Sequence, residues 1–136
     1  MQERQVRFGD FIKRKRMDDQ REVTLSDLSK VLGISLSLLS EIENHRRRPF
    51  GMEKIEIFAR YFDLTTKEIA LMYDLASNEN GEIPSDIEEI LMHKEVGNMA
   101  RFALRQSKAG NVTEADWKRF IREIENKKNQ KGGQDQ

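Results

Sequence analysis

Two runs of basic residues are the side chains most suited to binding a ligand. Lysines and arginines fill residues 13–16, and arginines fill residues 46–48. Such cations pair with phosphate oxygens, so either run could bind a nucleic acid. The formal net charge is 0, but salt limits each field to about 8–10 Å, so local positive patches persist. Solvated surface is the other interpretation of each run.

The sequence offers little for catalysis or metal binding. The chain has no cysteine, which excludes a disulfide, a zinc thiolate site and a cysteine nucleophile. The two histidines, His45 and His93, are far apart and lack the spacing of metal ligands. No glycine-rich phosphate-binding loop is present. We therefore expect no enzyme, no metal and no cofactor.

No segment of the sequence has the composition of a targeting or membrane segment. Residues 1–20 contain no apolar run. No stretch approaches the roughly 20 apolar residues that a membrane span requires. We expect a cytoplasmic protein that does not contact a membrane.

The spacing of the apolar residues predicts helices and short turns along the whole chain. Hydrophobic residues make up 37% of the sequence and charged residues 35%, a balance that suits small helical bundles with large surfaces. In the first half, apolar residues at i, i+3 and i+4 predict five helices. They lie at residues 8–17, 24–32, 36–44, 52–62 and 65–76. The fold class that follows is all-α.

The second and third predicted helices are joined by a tight turn. Thr24 is the predicted N-cap of the first of them, in a capping-box arrangement. Gly33 can end that helix in a left-handed conformation, and Ser35 can cap the next helix. The geometry is that of a helix-turn-helix, although an ordinary helical hairpin has the same spacing.

Several residues of this segment stand together at characteristic spacing. They are Thr24, Leu28, Gly33, Ile34, Ser35, Leu39, Ser40, Ile42, Glu43, Asn44 and Pro49. With these residues the chain resembles the XRE family of transcriptional regulators, the relatives of phage lambda and 434 repressors. The resemblance extends more loosely over residues 8–76. It implies a five-helix lambda-repressor-like DNA-binding domain whose helix 36–44 enters the major groove.

The resemblance also implies which side chains read the base edges. In the family these are early residues of the third helix, here Leu36, Ser37, Ser40 and Glu41. Leu36 could contact a thymine methyl, and Glu41 could accept a hydrogen bond from a cytosine amine. Relatives usually carry a polar residue at the position of Leu36, so a partly exposed hydrophobe without a reading role is the alternative.

Phosphate contacts are implied around the two ends of the motif. The implied residues are Thr24, Leu25, Asn44, Arg46, Arg47 and Arg48. At Thr24 and Leu25 the ligands would be the free N–H groups of the helix N-terminus. Such contacts set register and salt-dependent affinity without selecting a sequence.

Three further features follow from the alignment with the family. Arg16 matches a family arginine that pairs with a glutamate, here Glu43, which implies a structural ion pair instead of a DNA ligand. His45 stands where a glycine often ends the third helix, so a left-handed backbone there would be strained or the turn altered. The loop at residues 18–22 is also longer than usual.

The second half is predicted to be a separate helical region. A polar, turn-rich segment at residues 77–81 predicts a linker after the domain at residues 1–76. Residues 82–126 predict three short helices, which are too few for a secure independent core. A second copy of the chain would bury their apolar stripes. Residues 127–136 carry no large apolar residue and are predicted to be disordered.

The predicted dimer interface consists of apolar residues on the last helix. They are Trp117, Phe120, Ile121 and Ile124, each of which could equally belong to an intramolecular core. A homodimer would read a near-palindromic double-stranded operator with two recognition helices about 34 Å apart. The expected function is a sequence-specific transcriptional repressor. The alternative is a DNA-binding antitoxin or interaction module that holds a toxin or regulatory peptidase through its C-terminal helices.

Overall fold

The computed structural model describes residues 6–134, with side chains to residue 131, and these residues form eight helices and no strand. The helices are α1 (Phe8–Asp18), α2 (Leu25–Leu32), α3 (Leu36–Glu43), α4 (Met52–Tyr61), α5 (Thr66–Asn80), α6 (Ser85–Leu91), α7 (Val96–Lys108) and α8 (Glu114–Gln134). The all-α class is thereby confirmed. None of the described helices is long and apolar enough to cross a membrane. The chain divides into one unit up to Glu89 and a second from Ile90.

Local capping interactions set the ends of the helices in the first unit. The hydroxyl of Thr24 accepts from the N–H of Asp27 at 3.0 Å, and the Asp27 carboxylate accepts from the N–H of Thr24 at 3.1 Å. The hydrogen bond from the Thr24 backbone N–H, together with one from the Thr24 hydroxyl, lowers the pKa of the Asp27 carboxyl. Thr65 and Glu68 repeat the arrangement at the start of α5. Gly33 ends α2 with a left-handed backbone, φ 71°, so the tight turn to α3 forms without a steric penalty.

The hydrophobic core of the first unit is formed by side chains from all five helices, α1 to α5. Phe8 meets Phe50 edge to face, with ring centroids 4.9 Å apart, which is a favourable aromatic geometry. Ser29 is buried, and its hydroxyl donates to the carbonyl of Ser26. The largest fully buried side chains come from all five helices: Phe8, Ile12, Leu28, Leu32, Leu39, Ile55, Phe58 and Met72. This core fixes the orientation of α3 and leaves its outer face at the surface.

Gly9 allows α1 to lie directly against the end of α3. A Cβ at this position would stand 2.4 Å from the carbonyl oxygen of Ile42 and 2.9 Å from that of Glu43. These atoms belong to the backbone, so they cannot move aside as the end of a flexible side chain would. The close approach of the two helices therefore requires a glycine, for which the sequence analysis assigned no role.

We expect Gly9→Ala to destabilise the first unit by about 1–3 kcal/mol, the usual cost of overpacking. Alanine is the better helix former by about 1 kcal/mol, so a net loss would show that the steric clash dominates. Chemical denaturation followed by circular dichroism measures the change. Lys13→Ala, at an exposed position of the same helix, should stay within about 0.5 kcal/mol of the original protein. Equal stability of the two variants would contradict the close approach.

The division between the units differs from the predicted linker. Residues 77–80 form the last turn of α5, and Gly81 ends that helix in a left-handed conformation. Glu79 in this turn accepts from Arg7 Nε at 2.8 Å, which ties the end of α5 to the start of α1. The contact with Arg7 thus stabilises the helix through a segment whose composition suggested a turn, and Gly81 ends the helix after that segment. The boundary falls after Glu89 instead of at residues 77–81.

The second unit leaves its large apolar side chains mostly at the surface. Among its described side chains, Trp117 is only partly buried, and its indole N–H donates to the Ser107 hydroxyl at 2.9 Å. The only buried residue described in this unit is Gly97. The exposed large hydrophobic residues of α7 and α8 are Val96, Met99, Phe102, Leu104, Phe120, Ile121 and Ile124. The helices of this unit therefore form no closed core within one chain.

Helix α8 is longer than the sequence analysis predicted. It begins with a capping box, in which the Thr113 hydroxyl accepts from the N–H of Asp116, and it continues to Gln134. Residues 127–134 are therefore helical instead of disordered. The lysines and the glutamine among residues 127–131 are good helix formers, and extending an existing helix costs little compared with starting one. Residues 135 and 136 of the predicted tail lie outside the described residues.

Candidate nucleic-acid interface

Helix α3 packs one face on the core and presents the other at the surface. Leu39 and Ile42 are buried, whereas Leu36 at the start of the helix is 50% exposed. The four residues predicted to read bases share the outer side: Leu36 and Ser37 are exposed, and Ser40 and Glu41 are partly exposed. At 1.5 Å per residue, the helix is about 12 Å long, a length that the major groove, about 12 Å wide, accommodates.

After α3 ends, the chain makes a tight turn in which the following backbone N–H groups donate to the last carbonyls of the helix. The N–H of Arg46 donates to the carbonyl of Glu41 at 2.8 Å, and the N–H of His45 donates to that of Ile42 at 3.2 Å. This pattern is a Schellman motif, whose left-handed position is usually glycine. His45 takes that conformation, with φ 65°, and its Nε2 lies 3.0 Å from the Asp10 carboxylate. The turn geometry is therefore retained, and the contact with α1 holds it.

The arginines at residues 46–48 follow this turn and are all exposed. Arg47 Nε donates to the Glu41 carboxylate at 2.8 Å, so a predicted phosphate ligand pairs with a predicted base-reading residue. Within residues 6–134, Arg46 and Arg48 form no ion pair. The run therefore presents two cations without an acidic partner and one whose charge is balanced.

Asn44 caps the C-terminus of α3 beside this run. Its side-chain amide donates to the Ser40 carbonyl at 2.8 Å and lies 3.5 Å from the Ser40 hydroxyl. Asn44 is exposed, and this contact holds its side chain against the helix. A predicted phosphate ligand and a predicted base-reading residue are again adjacent.

At the N-terminus of α2, the groups that could bind a phosphate are backbone N–H groups and not side chains. The Thr24 hydroxyl is occupied by its capping hydrogen bond, and Leu25 packs against the hydrophobic core. The first N–H groups of a helix have no partner within that helix. The N–H groups of Leu25 and Ser26 are therefore the donors that remain for an anion at this end.

Arg16 and Glu43 form a bidentate ion pair beneath the motif. Arg16 Nε lies 2.9 Å from one carboxylate oxygen and Nη2 lies 3.0 Å from the other. Arg16 also donates through Nη1 to the Val23 carbonyl. The Glu43 side chain is only 3% exposed. The pair joins α1, α3 and the segment before α2, so Arg16 acts in the fold and does not lie on the outer side of α3.

The first basic run does not form one continuous patch. Arg16 is engaged with Glu43, and Lys15 forms an ion pair with Glu68 of α5. Only Lys13 and Arg14 of this run are exposed. The solvated-surface interpretation therefore suits these two residues, while the other two join helices.

The loop between α1 and α2 folds back on the end of α4. The Arg21 guanidinium donates to both carboxylate oxygens of Asp19, at 2.8 and 2.9 Å, and to the Tyr61 carbonyl at 3.0 Å. It also lies over the Tyr61 ring, 4.2 Å from the centroid. Hydrogen bonds from the side chain and backbone of Arg21 lower the pKa of Asp19 to about 2. This contact was not predicted, because its only local signal is an acidic and a basic residue two positions apart.

Residues 12–69 match the helix-turn-helix family model. The matched segment contains α2 and α3 complete, together with most of α1, all of α4 and the start of α5. No curated protein and no solved structure matches the chain significantly. The family match covers the residues on which the resemblance rested, and the structure gives them the corresponding helices and turn. The first unit of the chain therefore contains, over residues 12–69, a helix-turn-helix DNA-binding domain of the kind found in XRE-family transcription regulators.

Proposed function

We propose that the protein is a dimeric, sequence-specific transcriptional repressor that inserts α3 into the major groove of a near-palindromic operator. The observation that carries this proposal is the exposed outer side of α3 beside the arginines at residues 46–48. A helix can present side chains to base edges only if its own contacts leave them free. Cations next to that helix contact the flanking phosphates and fix its register.

The residues on the outer side of α3 supply different kinds of base contact. Leu36 offers an exposed apolar surface to a thymine methyl, and the hydroxyls of Ser37 and Ser40 can donate or accept. Glu41 adds an acidic group to this face. An apolar first residue favours a site with thymine near the start of the helix.

Phosphate binding is assigned to the exposed groups at the two ends of the motif. They are Asn44, the arginines at residues 46–48, and the N–H groups at the start of α2. Arg46 and Arg48, which form no ion pair with the residues that the structure describes, contribute most of the salt-dependent affinity, because each displaces condensed cations from DNA.

Arg46→Ala and Arg48→Ala should each weaken binding to all sequences and reduce the slope of log K against log salt by about 0.9. Titration of one duplex at several salt concentrations measures this slope. Arg14→Ala is the matched control, since Arg14 is exposed on α1, and it should leave the slope unchanged. If the slope of log K against log salt is the same for all three variants, Arg46 and Arg48 do not contact the phosphates.

Dimerisation through the second unit completes the proposal. The predicted interface residues Phe120, Ile121 and Ile124 are exposed on one side of α8, and Trp117 lies on the same stripe. A symmetric pair would bury these faces and present two copies of α3 to half-sites about 34 Å apart. Occupying an operator that overlaps a promoter would block transcription.

Selection of bound sequences from a random duplex pool, at about physiological salt, tests the function. A single enriched near-palindrome is the expected result, and its half-site spacing measures the distance between the two recognition helices. Recovery of no preferred sequence would overturn sequence-specific regulation. The second unit would then be examined as the binding surface for a toxin or regulatory peptidase.

A further inference from the structure

Glu41 and Arg47 form an ion pair at the edge of the proposed DNA-binding surface. Arg47 Nε lies 2.8 Å from Glu41 Oε2, and the Glu41 side chain is the less exposed of the two, at 39% against 62%. Glu41 lies on α3, whereas Arg47 lies beyond the end of that helix. The more buried carboxylate therefore holds the more exposed guanidinium over the side of the recognition helix.

The backbone between these residues is fixed at several points. The Schellman hydrogen bond from Arg46 ends on the carbonyl of Glu41 itself, at 2.8 Å. His45, between them, contacts Asp10 of α1. Arg47 is thus held near Glu41 by the turn as well as by its side chain. A fixed starting position reduces the entropy lost when the guanidinium makes further hydrogen bonds.

The ion pair makes Arg47 electrostatically different from its neighbours. Its charge is balanced by a carboxylate 2.8 Å away, so it contributes little to the attraction of phosphates. A phosphate bound there would also lie close to the negative charge of Glu41. Arg46 and Arg48 carry no such partner within the described residues. Phosphate binding therefore suits Arg46 and Arg48 better than Arg47.

The hydrogen-bonding groups of Arg47 suit a base edge. The contact with Glu41 uses Nε, which leaves the two terminal nitrogens as a fork of donors. Such a fork matches the O6 and N7 acceptors of guanine in the major groove, the commonest specific contact of arginine with DNA. No other group within residues 6–134 engages these terminal nitrogens.

We propose that Arg47 reads a guanine in each half-site and that Glu41 is the residue that positions it. The inference rests on the proposed DNA-binding function and changes two roles within it. Arg47 determines sequence instead of only contacting phosphate, and Glu41 acts through Arg47 instead of accepting from a cytosine amine.

Selections with the original protein, Arg47→Ala, Glu41→Ala and the double variant test the assignment. Arg47→Ala should lose the preference for guanine at one position of each half-site, a discrimination of about tenfold or more. Glu41→Ala should lose preference at that same position, and the double variant should lose no more than either single one. Glu41→Gln, whose amide oxygen can still accept from Nε, should retain the preference.

Two results would overturn the inference. Glu41→Ala could alter a position that Arg47→Ala leaves unchanged, which would mean that Glu41 reads a base itself. Arg47→Ala could instead keep every base preference and lower only the salt slope, as a phosphate ligand does. Arg46→Ala is the matched control and should keep all preferences. Failure of the original protein to select any sequence would overturn the proposed function, a result distinct from these two.

Discussion

Arg16→Ala should destabilise the first unit by about 3–5 kcal/mol, the range observed when one partner of a buried ion pair is removed. Glu43 would remain with its side chain 3% exposed and without the two donors that now satisfy its carboxylate. The Val23 carbonyl would lose a donor as well. A loss of this size approaches the whole stability of many small domains, so part of the variant would be unfolded at equilibrium.

Chemical denaturation of Arg16→Ala and Arg14→Ala isolates the contribution of the pair. Arg14 is an exposed arginine on the same helix, so its replacement controls for lost charge and should change stability by less than about 0.5 kcal/mol. The double variant Arg16→Met, Glu43→Leu should recover most of the loss, because it leaves no buried charge. Similar stability of the two arginine variants would contradict a structural role for Arg16.

The same double variant also tests where Arg16 lies relative to DNA. Because Glu43 is buried at the end of α3 and Arg16 lies away from the outer side of that helix, their joint replacement should leave the selected sequence unchanged in a protein that folds. Loss of base preference despite normal stability would indicate that Arg16 contacts DNA or orients α3.

The parts of the fold that were predictable from sequence depend on interactions within a few residues. Thr24 and Asp27 stand three positions apart, as a capping box requires, and Gly33 follows directly where α2 must turn. Both signals are readable without tertiary information. The apolar spacing of α1 to α5 similarly identifies the buried side of each helix. These local signals predicted the two helices and the tight turn between them, and the resemblance to the XRE family then implied which residues of α3 read bases.

The features that were not predictable depend on distant parts of the chain. Gly9 matters only because the carbonyls of Ile42 and Glu43 lie against it. The last turn of α5 persists because Glu79 meets Arg7. The Glu41–Arg47 pair requires the left-handed turn at His45. Histidine is uncommon in this conformation, so its presence in the sequence does not predict such a turn. Both members of the pair were predicted to contact DNA, but their ion pair with each other was not predicted.

Phe120→Ser combined with Ile124→Ser should convert the proposed dimer to monomers. Phe120 is 53% and Ile124 41% exposed in the single chain. Burying such half-exposed side chains stabilises by roughly 1 kcal/mol each, and four are changed per dimer, which gives roughly 3–6 kcal/mol. The dimer dissociation constant should therefore rise about 10²–10⁴-fold. Sedimentation equilibrium over a range of concentrations measures it directly.

Loss of the dimer should weaken binding to the full operator far more than binding to one half-site. Two linked helix-turn-helix domains gain up to about 10²–10⁴-fold from simultaneous attachment, and a monomer forgoes that gain. The matched control is Arg119→Ser combined with Glu123→Ser, which changes two exposed residues of α8 and leaves the net charge constant. If both double variants remain dimeric and bind the operator equally, the exposed stripe of α8 is not the interface. If only the apolar variant fails on the full operator while keeping half-site affinity, dimerisation through the second unit is what makes the first unit an effective repressor.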